Sequence, residues 1–277
     1  MAPMPTLFVP HGGGPWPWME SMGPAGMMDG LRQFFVRLLH NLPRRPTAIL
    51  VVSAHWECPV PTVMAAKKPP MLYDYSGFPP HTYRIQWPAP GAPELAERIE
   101  ELLATARLAS SSDGARGFDH GTYVVTKLMN PEADIPTLQL SLVDGLDPLT
   151  HFDIGRALAS LRQQGVLILG SGMSYHNMQG FRRMGFGRAA SRKSRDRAAA
   201  EAFDDWLVAA MVDSEQTLRQ RQLVEWAKAP GARDSHPREE HLLPLMVVAG
   251  AAYDDDRVST PFRAPIYGLP VSAVRFG

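Results

Sequence analysis

Two short runs, "AILVVSA" at 48–54 and "GVLILGS" at 165–171, constrain this chain more than any other feature of it. Both are almost continuously apolar and too short for a typical helix. They also lack the alternation of a strand with one wet face. Strands of this kind lie mid-sheet, covered on both faces, as parallel strands between two layers of helices do. "TLFVP" (6–10) and "PTLQLSL" (136–142) read as further strands of the same sheet. "TYRIQW" (82–87) is a candidate strand, and "YGLPVSAVRF" (267–276) is expected to close the sheet, with Pro270 placing it near an edge.

Helical patterns alternate with these runs. "MDGLRQFFVRLLHNL" (28–42) stops at Pro43, and "APELAERIEELLATA" (92–106) opens on acidic residues, which suits a helix amino end. Further helices are predicted over 120–130, 152–165 and 191–227, the last with a break near Asp213–Ser214. A final helix is predicted over 237–252, with Pro237 at a favourable first-turn position. The alternation implies an α/β fold of three αβα layers around a largely parallel or mixed sheet, in one domain spanning 1–277. The basic stretch 181–197 reads as a solvated surface loop.

Histidines fall where such a fold forms its sites. His11 follows the first strand, His55 follows "AILVVSA", and His176 lies just beyond "GVLILGS". Open α/β sheets bind ligands outside the carboxyl ends of their strands. Three histidines delivered there from separate strands suggest a metal site, because a cation needs donors converging from different parts of the chain. His120 opens a helix in "GFDHGTY", and His241 is expected on the last helix. On a helix, consecutive residues point about 100° apart, so Glu240 and His241 are not expected to face one ion together. His236 reads as a cap or a substrate-orienting residue, and His40 and His151 as surface or capping residues.

Gly12–Gly14 leave space beside His11, as an open coordination position requires. An esterase oxyanion hole would need G-x-S-x-G, which is absent, and no phosphate-cradling glycine pattern is present. The 28 basic residues equal the 28 acidic ones, so no overall field favours nucleic acid or a membrane surface. A single cysteine, Cys58, excludes an internal disulfide and fits a reducing compartment. With no leader pattern and no apolar run long enough to span a bilayer, the expected location is the cytoplasm.

"TLFVPHGGG", "VVSAHWE", "YDYSGFP", "FDHGTYV", "SGMSYHN" and "HPREEHLLPL" together resemble the class III extradiol ring-cleavage dioxygenases of the DOPA-dioxygenase type, in the order that family shows. The resemblance implies a non-haem iron(II) enzyme that opens a catechol ring with O2 beside its two hydroxyls. It implies His11, His55 and His241 as metal ligands. His176 is then an acid/base residue that some members count as a further ligand, and His120 a second active-site histidine. Zinc is also found in such sites. The usual facial triad is two histidines and a carboxylate, whereas the matched third ligand here is a histidine, so the donor set also suits zinc. Glu240 or Glu57 is expected to contribute from behind the ligands. Trp16, Trp18, Tyr73, Tyr75 and Phe78 are candidates to frame the ring, and His81 lies in the same loop. The alternative is a zinc-dependent hydrolase using the same histidines to activate water. A homo-oligomer is compatible with the sequence.

Overall fold

The computed structural model describes residues 2–20, 22–186, 190–212 and 215–277. Its strands are β1 (Thr6–Pro10), β2 (Ala48–Cys58), β3 (Thr62–Met64), β4 (Ser111–Asp113), β5 (Thr137–Val143), β6 (Val166–Gly172), β7 (Val258–Ile266) and β8 (Leu269–Phe276). They form one mixed sheet in the order β4-β3-β5-β2-β6-β1-β8-β7. The four central strands, β5, β2, β6 and β1, are mutually parallel, as their apolar runs predict. β8 joins β1 antiparallel and turns back into β7, while β3 runs antiparallel to β5 and carries β4.

Helices cover both faces. In chain order they are α1 (Asp29–Leu38), α2 (Pro93–Thr105), α3 (His120–Met129), α4 (Pro148–Leu158), α5 (Met178–Phe186), α6 (Ala190–Val212), α7 (Gln216–Val224), α8 (Ala232–Ser235) and α9 (Leu243–Gly250). Successive residues of a strand point to opposite faces, and β6 shows which helix lies where. A Cβ at Gly170 would meet the Pro244 carbonyl oxygen at 2.5 Å, so α9 lies directly on that face of the strand. The next residue, Ser171, donates instead to the Gly121 carbonyl of α3. The absence of a side chain at Gly170 is what lets an apolar helix, buried along its whole length, lie this close to the central strands.

Four local expectations are corrected. Residues 82–87 form no strand. Pro79 and Pro80 start a 3-10 turn over Pro80–Arg84, and both the amide and the hydroxyl of Thr82 donate to the Pro79 carbonyl. Residues 267–276 do lie near an edge, as β8, but they do not close the sheet: the edge strand on that side is β7, which carries two prolines of its own, as an edge tolerates. The last helix starts at Leu243 rather than Pro237, because Pro244 takes the first-turn position; His241 therefore lies in the turn before it. The stretch 181–197 is helical in its described residues, belonging to α5 and α6, and Arg183 pairs with Asp196 across the two. The predicted break at Asp213–Ser214 lies outside the described residues, between α6 and α7.

Candidate metal centre

Each histidine is delivered by a different piece of backbone. His11 directly follows β1, and its amide donates to the Gly172 carbonyl at the end of β6. Gly12 turns the chain away at φ +78°, a conformation that favours glycine. A Cβ there would strike the Trp16 ring at 2.5 Å, the same indole that donates to the His11 carbonyl. Gly14 is also left-handed, at φ +50°, so two of the three glycines are conformational requirements. His55 sits in an irregular part of β2, where pairing with β5 shifts register between Val52 and Glu57. Bulges of this kind re-aim side chains beside functional sites.

His120 is the first residue of α3, whose amino end is capped by Asp119. That buried carboxylate also accepts from Ser53, Gln139 and Arg116, which ties the helix start to β2 and β5. His176 follows β6, with its amide on the Ser235 carbonyl, and the His241 carbonyl accepts from the amide of Met173.

The five rings converge. Ring centroids of His11 lie 4.8, 5.2 and 5.1 Å from those of His55, His120 and His241, and His55 lies 4.0 Å from His120 and 4.9 Å from His241. His176 stacks on His241 at 3.3 Å. The donor nitrogens of His11, His55 and His120 lie within 4.8 Å of one another, as do those of His176 and His241 with a Glu240 oxygen.

Two carboxylates orient the rings from behind. Asp74 Oδ1 accepts from both the amide and Nδ1 of His120 at 2.9 and 2.8 Å, and its Oδ2 stands 3.6 Å from His55 Nδ1. Glu240 Oε1 accepts from Nδ1 of both His176, at 3.2 Å, and His241, at 3.0 Å. Burial is the largest single influence and raises the pKa of each carboxyl. The bond and charge of His120 with the charge of His55 at Asp74, and the bond and charge of His176 with a backbone bond and Arg238 at Glu240, together outweigh it. Both carboxyls are held below the ordinary range.

The imidazoles are pushed the other way. Burial, followed by the neighbouring His120, lowers the His55 pKa to about 3 against the pull of Asp74. Burial and adjacent histidines also hold His11 and His241 well below their usual value. These three rings are therefore neutral at neutral pH, the state in which imidazole ligates a metal.

A metal fits this arrangement. The Nε2 atoms of His11 and His55 face each other at 3.3 Å, a separation that two nitrogens on one ion adopt with bonds of about 2.0–2.1 Å. His241 Nε2 is buried without a hydrogen-bond partner. Carboxylates holding Nδ1–H leave Nε2 as the free lone pair, the usual outer arrangement of a histidine metal site.

A cavity of about 390 Å³ opens on the rings. Tyr75 and Phe78 line it, whereas Trp16, Trp18 and Tyr73 do not. His81 is exposed and bonds the Trp18 carbonyl. Glu57 pairs with Arg238 rather than with a ring. His236 is buried against Phe203 and Trp226, on the Ser174 carbonyl. His151 is not at the surface: it is fully buried, with Nδ1 on the Asp147 carbonyl and Nε2 accepting from the Val143 amide of β5. The sequence reading missed Asp74, although it is the only carboxylate between Lys68 and Arg84.

Residues 17–277 match the family described as the catalytic LigB subunit of aromatic ring-opening dioxygenase. The chain belongs to this family. A 4,5-DOPA dioxygenase extradiol of Portulaca grandiflora is 41% identical over 241 residues, covering 86% of this chain and 84% of that protein. The one of Escherichia coli K12 is 36% identical over 273 residues, covering 98% and 92%. The dioxygenase tasH of Hapsidospora irregularis is 35% identical over 260 residues, covering 92% and 80%. The crystal structure of an uncharacterized protein from E. coli K12 matches with a TM-score of 0.77 at 33% identity, over 99% of this chain and 100% of that one. This LigB-family chain is thus an extradiol ring-opening dioxygenase, and a zinc hydrolase is not favoured. Among the described residues, no helix is long and apolar enough to cross a membrane.

Proposed function

We propose that this LigB-family chain acts as one catalytic domain that holds iron(II) and opens the ring of a catechol with O2 to a semialdehyde. His11, His55 and His241 are the metal ligands in this reading. The observation that carries it is the pair of neutral His11 and His55 rings with Nε2 atoms 3.3 Å apart, together with the His241 ring, whose centroid lies 5.1 and 4.9 Å from theirs and whose Nε2 is unpartnered. Zinc suits the same nitrogens. Asp74 and Glu240 favour the more electron-donating role, since a carboxylate behind an imidazole raises its basicity. Bound there, iron(II) supplies the redox chemistry that couples O2 to a ring held through its two oxygens.

The chain's own residues position the substrate and move protons. The catechol enters through the cavity and rests against Tyr75 and Phe78. His176, with Nδ1–H on Glu240, keeps Nε2 free to take a hydroxyl proton as the diol binds. His120, held on Asp74, is placed to return a proton as the ring opens. The apolar wall of the cavity keeps bulk water from the reacting atoms.

The test is anaerobic loading with iron(II), then exposure to air and a panel of catechols in an oxygen electrode. Oxygen uptake with a yellow product is expected from the iron-loaded protein and not from the zinc-loaded one. A turnover that consumes no oxygen, or no turnover of any catechol, overturns the reading.

A further inference from the structure

Beyond the histidines, the cavity wall is built from thioethers and rings. Met22, Met27, Met28, Met173 and Met178 line it, and Phe181, Ile266 and Tyr267 complete the outer part. The wall is tied together across the chain, since the Tyr267 amide at the β7–β8 turn donates to the Met27 sulfur. Thioethers adapt to the shape of an apolar chain. Apart from the histidines, one lining residue among those described is ionisable at neutral pH: Arg182, on α5. Its neighbour Arg183 is occupied by Asp196, whereas Arg182 is exposed and has no ion pair among the described residues. Among the described residues, no aspartate or glutamate lines the cavity. The nearby carboxylates, Asp74 and Glu240, accept from histidine Nδ1 atoms behind it.

We propose that the catechol taken by this site bears an apolar side chain ending in a carboxylate, without an ammonium group, and that Arg182 determines this preference. This rests on the catechol reading above and narrows it. Near the ring end, an ammonium would leave water with no anion to meet, which is costly. A carboxylate extended past the thioethers meets a guanidinium, whose planar fork matches it. The apolar spacer fills the methionine wall.

The experiment is anaerobic calorimetric titration of the zinc-loaded protein with three catechols differing in side-chain charge: ethylcatechol, dihydroxyphenylpropanoate and dopamine. Propanoate is expected to bind about tenfold tighter than ethylcatechol, the scale of one hydrogen-bonded charge pair, and dopamine more weakly than ethylcatechol. In Arg182→Met the ratio of propanoate to ethylcatechol affinity falls close to one, and Arg182→Lys keeps part of it. Dopamine binding as tightly as propanoate, or an unchanged ratio in Arg182→Met, overturns the proposal. If ethylcatechol binds but charge makes no difference, the substrate class alone fails. If none of the three binds, the catechol reading fails with it.

Discussion

Replacing Asp74 tests whether the rings are oriented from behind. Its two oxygens do unequal work: Oδ1 takes two bonds from His120 at 2.9 and 2.8 Å, while Oδ2 stands 3.6 Å from His55 Nδ1. In Asp74→Asn the amide oxygen can keep the His120 bonds, but the amide nitrogen then faces His55. A donor there favours the His55 tautomer with its proton on Nε2, which cannot ligate. Only the longer arm is altered, so zinc affinity is expected to fall about tenfold, or about 1.4 kcal/mol. Asp74→Ala removes both arms. The two short bonds it takes from His120 are not to a ligand in this reading, so zinc affinity should fall by about the same tenfold, while turnover falls further because His120 is no longer oriented. Competition against a chromophoric chelator measures zinc affinity in both variants, with thermal melting of the metal-free proteins as the control for folding. If both variants fold and bind zinc within about twofold of the parent, well inside the outer-ligand range, Asp74 does not orient the site.

His55→Ala should lose metal and turnover together, whereas His176→Gln should keep the metal and lose about 10²–10⁴ in turnover; metal analysis beside oxygen uptake separates them. His236 is buried, and its pKa is lowered to about 4, by burial first. The unfolded chain takes up that proton near pH 6.5, so the stability it contributes is present above that pH and is lost as pH falls toward 4. The difference amounts to about 3 kcal/mol. In His236→Gln, urea melts of the metal-free protein should lose about one proton's worth of slope in that window. Gly12→Ala should destabilise by more than the roughly 1 kcal/mol of an ordinary strained turn, because its Cβ also meets the Trp16 ring at 2.5 Å. A melting temperature unchanged from the parent would contradict this.

The central strands were legible because burial on both faces leaves no room for polar alternation, and "AILVVSA" and "GVLILGS" carry that signature directly. His11, His55 and His176 were legible for the same reason, since they end such runs. His241 was recognised on the wrong element. With Pro244 rather than Pro237 starting α9, His241 and Glu240 lie in a turn, and the helical rule separating neighbours by about 100° does not hold. That is why Glu240 can reach two rings, His176 and His241. Asp74 was hidden because its partner, His120, lies 46 residues away and the loop between has no periodicity to read. His151 was misjudged because the need for it comes from the end of β5, where the Val143 amide donates to the ring. Tertiary demands of this kind leave no local trace.

X-ray absorption at the iron edge of the anaerobically loaded protein examines the metal centre most directly. A single iron per chain with three or more imidazoles in its shell, lost in His55→Ala, is the expected spectrum. An oxygen-only shell, or one that His55→Ala leaves intact, would mean that these histidines do not hold the ion.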